Sequence, residues 1–559
     1  MSTLGGGAIK SGVGHREALA TAAGIFLLAL LVRIWAASLI TYPRPEDTAY
    51  YFGVARNLVE GRGLISDALW SYATPPLTFP RPAFEVWLPL PSFLSAPPML
   101  IFGPTFGASQ WAPTIVGALV PVLGWRFAAD IAEDIAMPDG RARALAIGTG
   151  LTAAVYMPLV LHSALPDSTI PFAALALGCC LLMGRIVAKP APNGGAPSPL
   201  DRRVLALGLL LGLAALTRNE AIWLALTWAI CAIGASRGWR DWAKLVGGAA
   251  AVAILVFLPW AIRDWLVFGS PLPGQAVLNA FSITGRDIFA FIDRPTLERY
   301  LALGPAKLAG LRVEGFLHNL VNVLLILGIP VSIIGIGGLF WTGRIAAMRP
   351  LFLFSVITFW ATTLIFPVAT TWGTFLHAAG AAHVLVVISA LLILDGAVQV
   401  AGRARGWTRP VAWLAPAFTV ASSFLFLFVL LPGFGRDGDA TAARYRALEV
   451  ALEAVGEKLG PDHSPVISDF PIWLAEDARV RTLGLPDEPP ENVLELAKAA
   501  GFDATLLVVQ ADNGGQWPEV VDSDLPGADC FRLLDFGTTL NPTASRLLEG
   551  VRVYQIACP

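Results

Sequence analysis

The chain has 559 residues, 55% of them hydrophobic and only 14% charged. A mean hydropathy of +0.64 sustained over that length excludes a soluble globular protein and puts most of the chain in lipid. The formal net charge of −2 gives no basic footprint for nucleic acid, so the location of the charges matters more than their sum.

In chain order, apolar runs long enough to cross a bilayer are predicted at 22–41, 109–129, 144–161, 168–187, 204–217, 220–235, 245–262, 317–341, 351–368, 378–400 and 411–432, eleven spans of a polytopic α-helical membrane protein. Residues 84–102 are apolar too, but their prolines and Trp87 suit an interfacial segment. With Arg16 inside and 84–102 not crossing, the short basic loops fall on one side. They carry Arg141 and Arg143, Arg185 with Arg202 and Arg203, Arg237 with Arg240 and Lys244, Arg344 with Arg349, and Arg403 with Arg405. This parity predicts a multi-pass protein of the cell membrane, its N-terminus cytoplasmic and held by an uncleaved anchor. The odd count places 433–559 outside.

Three external pieces exceed simple turns: loop one (42–107), a second loop (263–314) and the tail (433–559). In the tail, 465–468, 491–500 and 504–509 read as strand, helix and strand, which predicts a small α/β domain attached to a membrane module of residues 1–432. The tail also carries Cys530 and Cys558; a disulfide and two free thiols are both open. Metal-binding Cys/His spacing is lacking.

Ionisable residues gather at the outer ends of the predicted spans, where such groups tend to be functional or paired. Glu46 and Asp47 follow span one, with Tyr50 and Tyr51 one turn on. His162 and Asp167 sit between spans three and four, Arg218 and Glu220 between five and six, Arg263 after span seven, and His377 before span ten. Each has a plain alternative. Asp47 and Asp167 could cap helices, Arg218 could simply pair with Glu220, Arg263 could snorkel beside Asp264, and His162 and His377 could be satisfied interfacial histidines. Arg81, beside Pro82, could meet a ligand or shape its loop.

The run Glu46-Asp47-Thr48-Ala49-Tyr50-Tyr51 through Leu58 resembles the first external loop of GT-C glycosyltransferases, most closely the protein O-mannosyltransferases and lipid A aminoarabinose transferases. LeuProAsp at 165–167, LeuThrArgAsnGlu at 216–220 and ProTrpAlaIleArgAsp at 259–264 add to the likeness. It implies an enzyme that moves a sugar from a polyprenyl-phosphate carrier to a glycan, lipid or protein acceptor outside the membrane, with Asp47 as base. An interfacial phosphate needs cations beside it, and Arg218, Arg263 or Arg81 would serve. Glu46 and Asp167 would assist the base, and Tyr50, Tyr51, His162, Glu220 and His377 would line the site. A divalent cation at Asp47 and Asp167 is left open. The rivals are a lipid or lipid-linked-sugar flippase, disfavoured by the scarcity of charges within spans, and an oligosaccharide ligase or polymerase.

Overall fold

The computed structural model describes residues 6–188, 197–273, 275–407, 411–510, 515–536 and 542–558. Among them, eight helices are long and apolar enough to cross a membrane: Arg16–Leu39, Phe106–Asp134, Thr169–Ala188, Trp239–Phe268, Gly304–Gly328, Ala346–Ile365, Gly380–Ala404 and Leu414–Ala454. The pair Asp139–Val155 and Met157–Ala164, bent by 57°, makes a ninth. The expected spans at 204–217 and 220–235 are present only as the 14-residue helices Arg202–Ala215 and Ala221–Gly234. Each is about 21 Å long at 1.5 Å per residue, shorter than a hydrocarbon core of about 30 Å. Length alone therefore gives eight or nine crossings rather than eleven.

The run at 317–341 is also divided. A π-helical stretch, His318–Leu325, gives way at Pro330 to the helix Val331–Thr342, because proline supplies no N–H to carry the ladder onward. Gly315 abuts Pro367, Gly328 abuts Tyr156, and Gly335 and Gly338 abut Val386 and Ser389, so the two pieces descend the bundle in one direction. Residues 84–102 yield only the 13-residue helix Leu90–Phe102, with Pro97 and Pro98 inside it. Ser92 Oγ donates to the Tyr51 carbonyl at 2.8 Å, which pins this helix beneath loop one.

The two ends of the bundle differ in chemistry. At one, Arg141 pairs with Asp395, Arg185 Nε donates to Asp130 at 2.9 Å, and Asp134 accepts the Ala347 N–H at 3.1 Å. The opposite end gathers the turns that carry Asp47, His162 to Thr169, Arg218 to Glu220 and His377.

Above that opposite end lies a six-stranded sheet. Its strands are β2 (Ala68–Leu69), β4 (Val466–Ser468), β5 (Thr482–Gly484), β6 (Leu506–Gln510), β7 (Phe531–Leu533) and β8 (Val551–Ile556), in the order β2-β5-β4-β6-β8-β7. The first four in that order are parallel, while β8 and β7 pair antiparallel. A separate antiparallel pair, β1 (Ile65–Ser66) with β3 (Arg81–Pro82), closes loop one.

A boundary at 432 does not describe this architecture. The last helix runs unbroken from Leu414 to Ala454, since the polar stretch after Gly438 is rich in Ala, Leu, Arg and Glu, all strong helix formers. Loop one supplies the edge strand β2, so the sheet is not built from the tail alone. The second loop is shortened at its start: helix Trp239–Phe268 continues past Arg263 and ends on Gly269 at φ +72°, a left-handed cap that glycine adopts without strain. Cys530 and Cys558 form a disulfide, with Cα atoms 4.9 Å apart.

Loop one, the second loop and the tail meet in one apolar cluster that includes Tyr50, Trp70, Phe84, Trp260, Phe289, Ile472 and Ala475. Glu488 of the tail accepts the N–H groups of Phe291, Ile292 and Asp293 at 2.7, 2.9 and 3.0 Å, fixing the second loop to the sheet. The three extramembrane pieces thus make a single roof.

Candidate functional site

Asp47 is the second residue of helix Glu46–Val59, whose N-cap, Pro45, offers no side-chain cap. Its Oδ1 accepts the Thr48 N–H at 2.9 Å, and its Oδ2 lies 2.9 Å from His377 Nε2. The other ring nitrogen of His377 meets Thr169 Oγ1 at 2.6 Å and lies 4.0 Å from Asp167 Oδ2. Asp167 does cap a helix, its Oδ1 accepting the Thr169 N–H at 2.8 Å, yet its Oδ2 also faces His162 Nδ1 at 3.3 Å. Capping and membership of the cluster are thus both true of Asp167. All four side chains are buried, with Asp167 at 1% exposure and Asp47 at 9%.

Local backbone explains how distant turns converge. The 57° bend between Asp139–Val155 and Met157–Ala164 brings His162 under the helix start at Thr169. Gly373 sits at φ +115°, and a Cβ there would lie 3.1 Å from the His377 ring. Only glycine takes that turn and leaves room for the imidazole. Arg218 joins the parts: it forks onto Glu220 at 2.7 and 3.0 Å and donates to Ser168 Oγ at 2.8 Å and to the Thr374 carbonyl at 3.4 Å. Pairing with Glu220 therefore does not remove Arg218 from the site but aims it.

Electrostatics follow from this packing. Burial works to raise the Asp47 pKa, but the charge and hydrogen bond of His377, with Arg218 and His162 behind, hold it below the usual carboxylate value. Burial works in turn to lower that of His377, and Asp47 and Asp167 outweigh it, so the imidazole titrates above its ordinary value. Glu46 faces away, its Oε1 accepting the Ile472 N–H at 3.0 Å. Burial pushes Glu46 up to about 8.

Other sequence-nominated residues lie elsewhere. The Tyr51 hydroxyl lies within electrostatic reach of Arg218, Asp47 and Asp167. Tyr50 does not share that environment: its hydroxyl accepts the Phe84 N–H at 2.6 Å, and its ring packs on Trp70, Phe84 and Trp87. Arg81 is fully buried, donating to the carbonyls of Thr74 and Pro76 and facing Glu85; with its donors consumed there, it shapes loop one rather than meeting a ligand. Arg263 pairs with Asp264 at 2.9 Å and lies over the rings of Trp260 and Phe268 at 4.8 and 5.1 Å, in the loop-one cluster rather than against Asp47.

One buried charge escaped notice in the sequence. Arg33, within the first span and 0% exposed, donates through Nε to Ser163 Oγ at 3.0 Å and through Nη1 to the carbonyls of Ala29 and Ala154 at 3.2 Å. Thr114 Oγ1 and Gln110 Nε2 donate to the carbonyls of Ser163 and Ala164 at 3.2 and 2.8 Å. These three residues clamp the turn that carries His162. A lone arginine inside an apolar span was the available signal.

A cation at this end would not find the two-carboxylate pair Asp47 and Asp167, because His377 stands between them. Instead His162, Asp167 and His377 present ligand atoms within 4.8 Å of one another, a two-imidazole, one-carboxylate set suited to zinc or a similar divalent ion.

Fold and site together define a polytopic helical membrane protein with the GT-C fold. ArnT from Cupriavidus metallidurans, solved bound to undecaprenyl phosphate, matches with a TM-score of 0.53 at 13% identity, covering 96% of this chain and 99% of that one. The oligosaccharyltransferase AglB from Archaeoglobus fulgidus, in complex with an inhibitory peptide and a dolichol-phosphate, matches at 0.53 and 14%, covering 92% and 72%. The Archaeoglobus fulgidus oligosaccharyltransferase in complex with Zn and sulfate matches at 0.52 and 14%, covering 95% and 73%. No family model matches the sequence, and no curated protein does.

Proposed function

We propose that the chain is an integral membrane glycosyltransferase that moves a sugar from a polyprenyl phosphate to a glycan, lipid or protein acceptor at the extracytoplasmic face. The observation that carries this reading is the contact of Asp47 with His377 at the mouth of a GT-C bundle, with Asp167 and Arg218 closing around it. The lipid phosphates named for the fold neighbours, undecaprenyl phosphate and dolichol-phosphate, support the same donor class here.

In this mechanism the acceptor oxygen attacks the anomeric carbon, its proton passes to Asp47, and the bond from that carbon to the phosphate oxygen breaks. The electron pair leaves with the polyprenyl phosphate, and single displacement inverts the anomeric centre. His377 and Arg218 keep Asp47 ionised, so the base is in its working form at neutral pH. Its basicity is modest, and the proton therefore moves late, once bonding to carbon has made the acceptor oxygen acidic. Arg218, beside Asp47, serves the departing phosphate. A divalent ion held by His162, Asp167 and His377 would add Lewis-acid stabilisation of that phosphate; one fold neighbour was solved in complex with Zn and sulfate.

The orientation belongs to the same proposal: an odd number of passes, N-terminus cytoplasmic, sheet outside, and the end that holds Arg141 and Arg185 facing the cytoplasm. The test is transfer by the purified chain from undecaprenyl-phosphate sugars to cell-envelope acceptors. Asp47→Asn is expected to lower the rate by roughly 10²- to 10⁴-fold while undecaprenyl phosphate binding persists. Full turnover in that variant would remove the assignment.

A further inference from the structure

Arg286 lies in the second external loop, in the single turn Gly285–Phe289, which a capping box between Thr284 and Asp287 holds in shape. It is 4% exposed, yet its Nε and Nη1 are buried with no hydrogen-bond partner. Leaving such donors unpaired is expensive for a charged group, and the loop around them is not loose, because Glu488 fixes Phe291, Ile292 and Asp293 just beyond it. The guanidinium also lies over the Phe289 ring at 5.4 Å.

Two contacts locate this arginine relative to the reacting end of the bundle. Gly285 lies against the Trp372 indole, where any Cβ would collide with the ring, and Trp372 immediately precedes the Gly373 turn that presents His377. On the other side, Arg286 lies within electrostatic reach of Asp469, Asp487 and Glu46, whose carboxyl groups accept the Gln510, Gln516 and Ile472 N–H groups, and Glu46 adjoins Asp47. The arginine therefore sits on the sheet side of the Asp47 cluster, away from the lipid.

Three carboxyl groups around one guanidinium make a poor site for a phosphate, which already has Arg218 to receive it. A hydroxyl-bearing ring suits the mixture better: its oxygens accept from the guanidinium and its O–H groups donate to the carboxyl oxygens. We propose that Arg286, with Asp469 and Glu46, recognises the hydroxyls of an uncharged or amine-bearing sugar ring, and so sets sugar specificity rather than phosphate affinity. This rests on the glycosyltransferase reading above. The ring belongs either to the lipid-linked donor or to a glycan acceptor.

Binding to the full chain in nanodiscs separates these sources, using three probes: undecaprenyl phosphate, a panel of undecaprenyl-phosphate hexoses and pentoses, and soluble methyl glycosides. Arg286→Gln is expected to leave undecaprenyl phosphate binding unchanged and to weaken the preferred sugar-lipid about tenfold or more, the worth of a charge-assisted contact. If the loss falls instead on the methyl glycosides, the ring is the acceptor's and the role of Arg286 stands. Arg286→Lys, which keeps the charge but not the fork, is expected to recover little of the loss. Equal weakening of all three probes, no change in any, or a wild-type chain that binds no sugar-lipid more tightly than undecaprenyl phosphate would overturn the proposal. Failure of the wild type to bind undecaprenyl phosphate at all would instead overturn the glycosyltransferase reading beneath it.

Discussion

His377 Nε2 lies 2.9 Å from Asp47 Oδ2, although one residue opens the loop-one helix and the other precedes a span some 330 residues further along the chain. Each shifts the other: the carboxyl titrates below its ordinary value and the imidazole above. For stability the signs are opposite. The contribution of Asp47 is present above the ordinary carboxylate pKa of about 3.9 and is lost as pH falls through its lower folded value. That of His377 is complete below about 6.5 and is lost as pH rises through its higher folded value.

The first prediction follows from this coupling. In the wild type, the acid limb of kcat/KM is expected below the usual carboxylate range, because Asp47 stays ionised there. His377→Gln removes the largest opposing influence and should move that limb to higher pH. A pH–rate profile of the two proteins checks it, and coincident acid limbs would show that Asp47 is not the titrating base.

The second concerns how the roof is joined to the helix that carries Asp47. Arg56 of that helix meets Glu476 of the tail through two contacts, at 2.7 and 2.9 Å, with both side chains largely buried. Glu476→Ala leaves a buried cation unpaired, and an effect of about 3–5 kcal/mol is expected. Thermal unfolding and limited proteolysis would report it, with the Arg56→Met, Glu476→Met double variant recovering much of the loss.

Much of this arrangement was legible in the sequence, and the gaps have physical causes. Asp47 showed itself as an acid placed directly after a span, whereas His377 had nothing nearby in sequence to mark its partner. Tyr50 and Tyr51 were grouped as lining residues, but neighbours on a helix point about 100° apart; only Tyr51 turns to Arg218 while Tyr50 packs among tryptophans. The strand β2 is two residues long, too short for any period to show, so the fusion of loop one with the tail sheet went unseen. The last helix was expected to end with its apolar stretch, because hydropathy registers lipid rather than helix propensity.

The third prediction tests sidedness. Single cysteines introduced at Arg237 and at Asp462 should be labelled by a membrane-impermeant maleimide from opposite sides of sealed vesicles, with Asp462 accessible from outside. Labelling of both from one side would refute this orientation, and with it the placement of the site at the outer face.

The last prediction bears on the clamp around His162. Gly117 lies against the Ser163 side chain, and a Cβ there would also come within 3.0 Å of Arg33 Nε. Arg33 holds Ser163, and Ser163 adjoins His162, so a methyl group at 117 must push on the turn that faces Asp167. Gly117→Ala is expected to destabilise the protein by about 1–3 kcal/mol, the usual range for overpacking, and to lower kcat more than it raises KM. Gly107 lies in the first turn of the same span with nothing within 4 Å of its Cβ position, so Gly107→Ala should do neither. Thermal unfolding in detergent and steady-state kinetics on the pair would separate displacement of the His162 turn from a general effect of replacing glycine. Equal behaviour of the two variants would show that the Arg33 clamp does not set the geometry at His162.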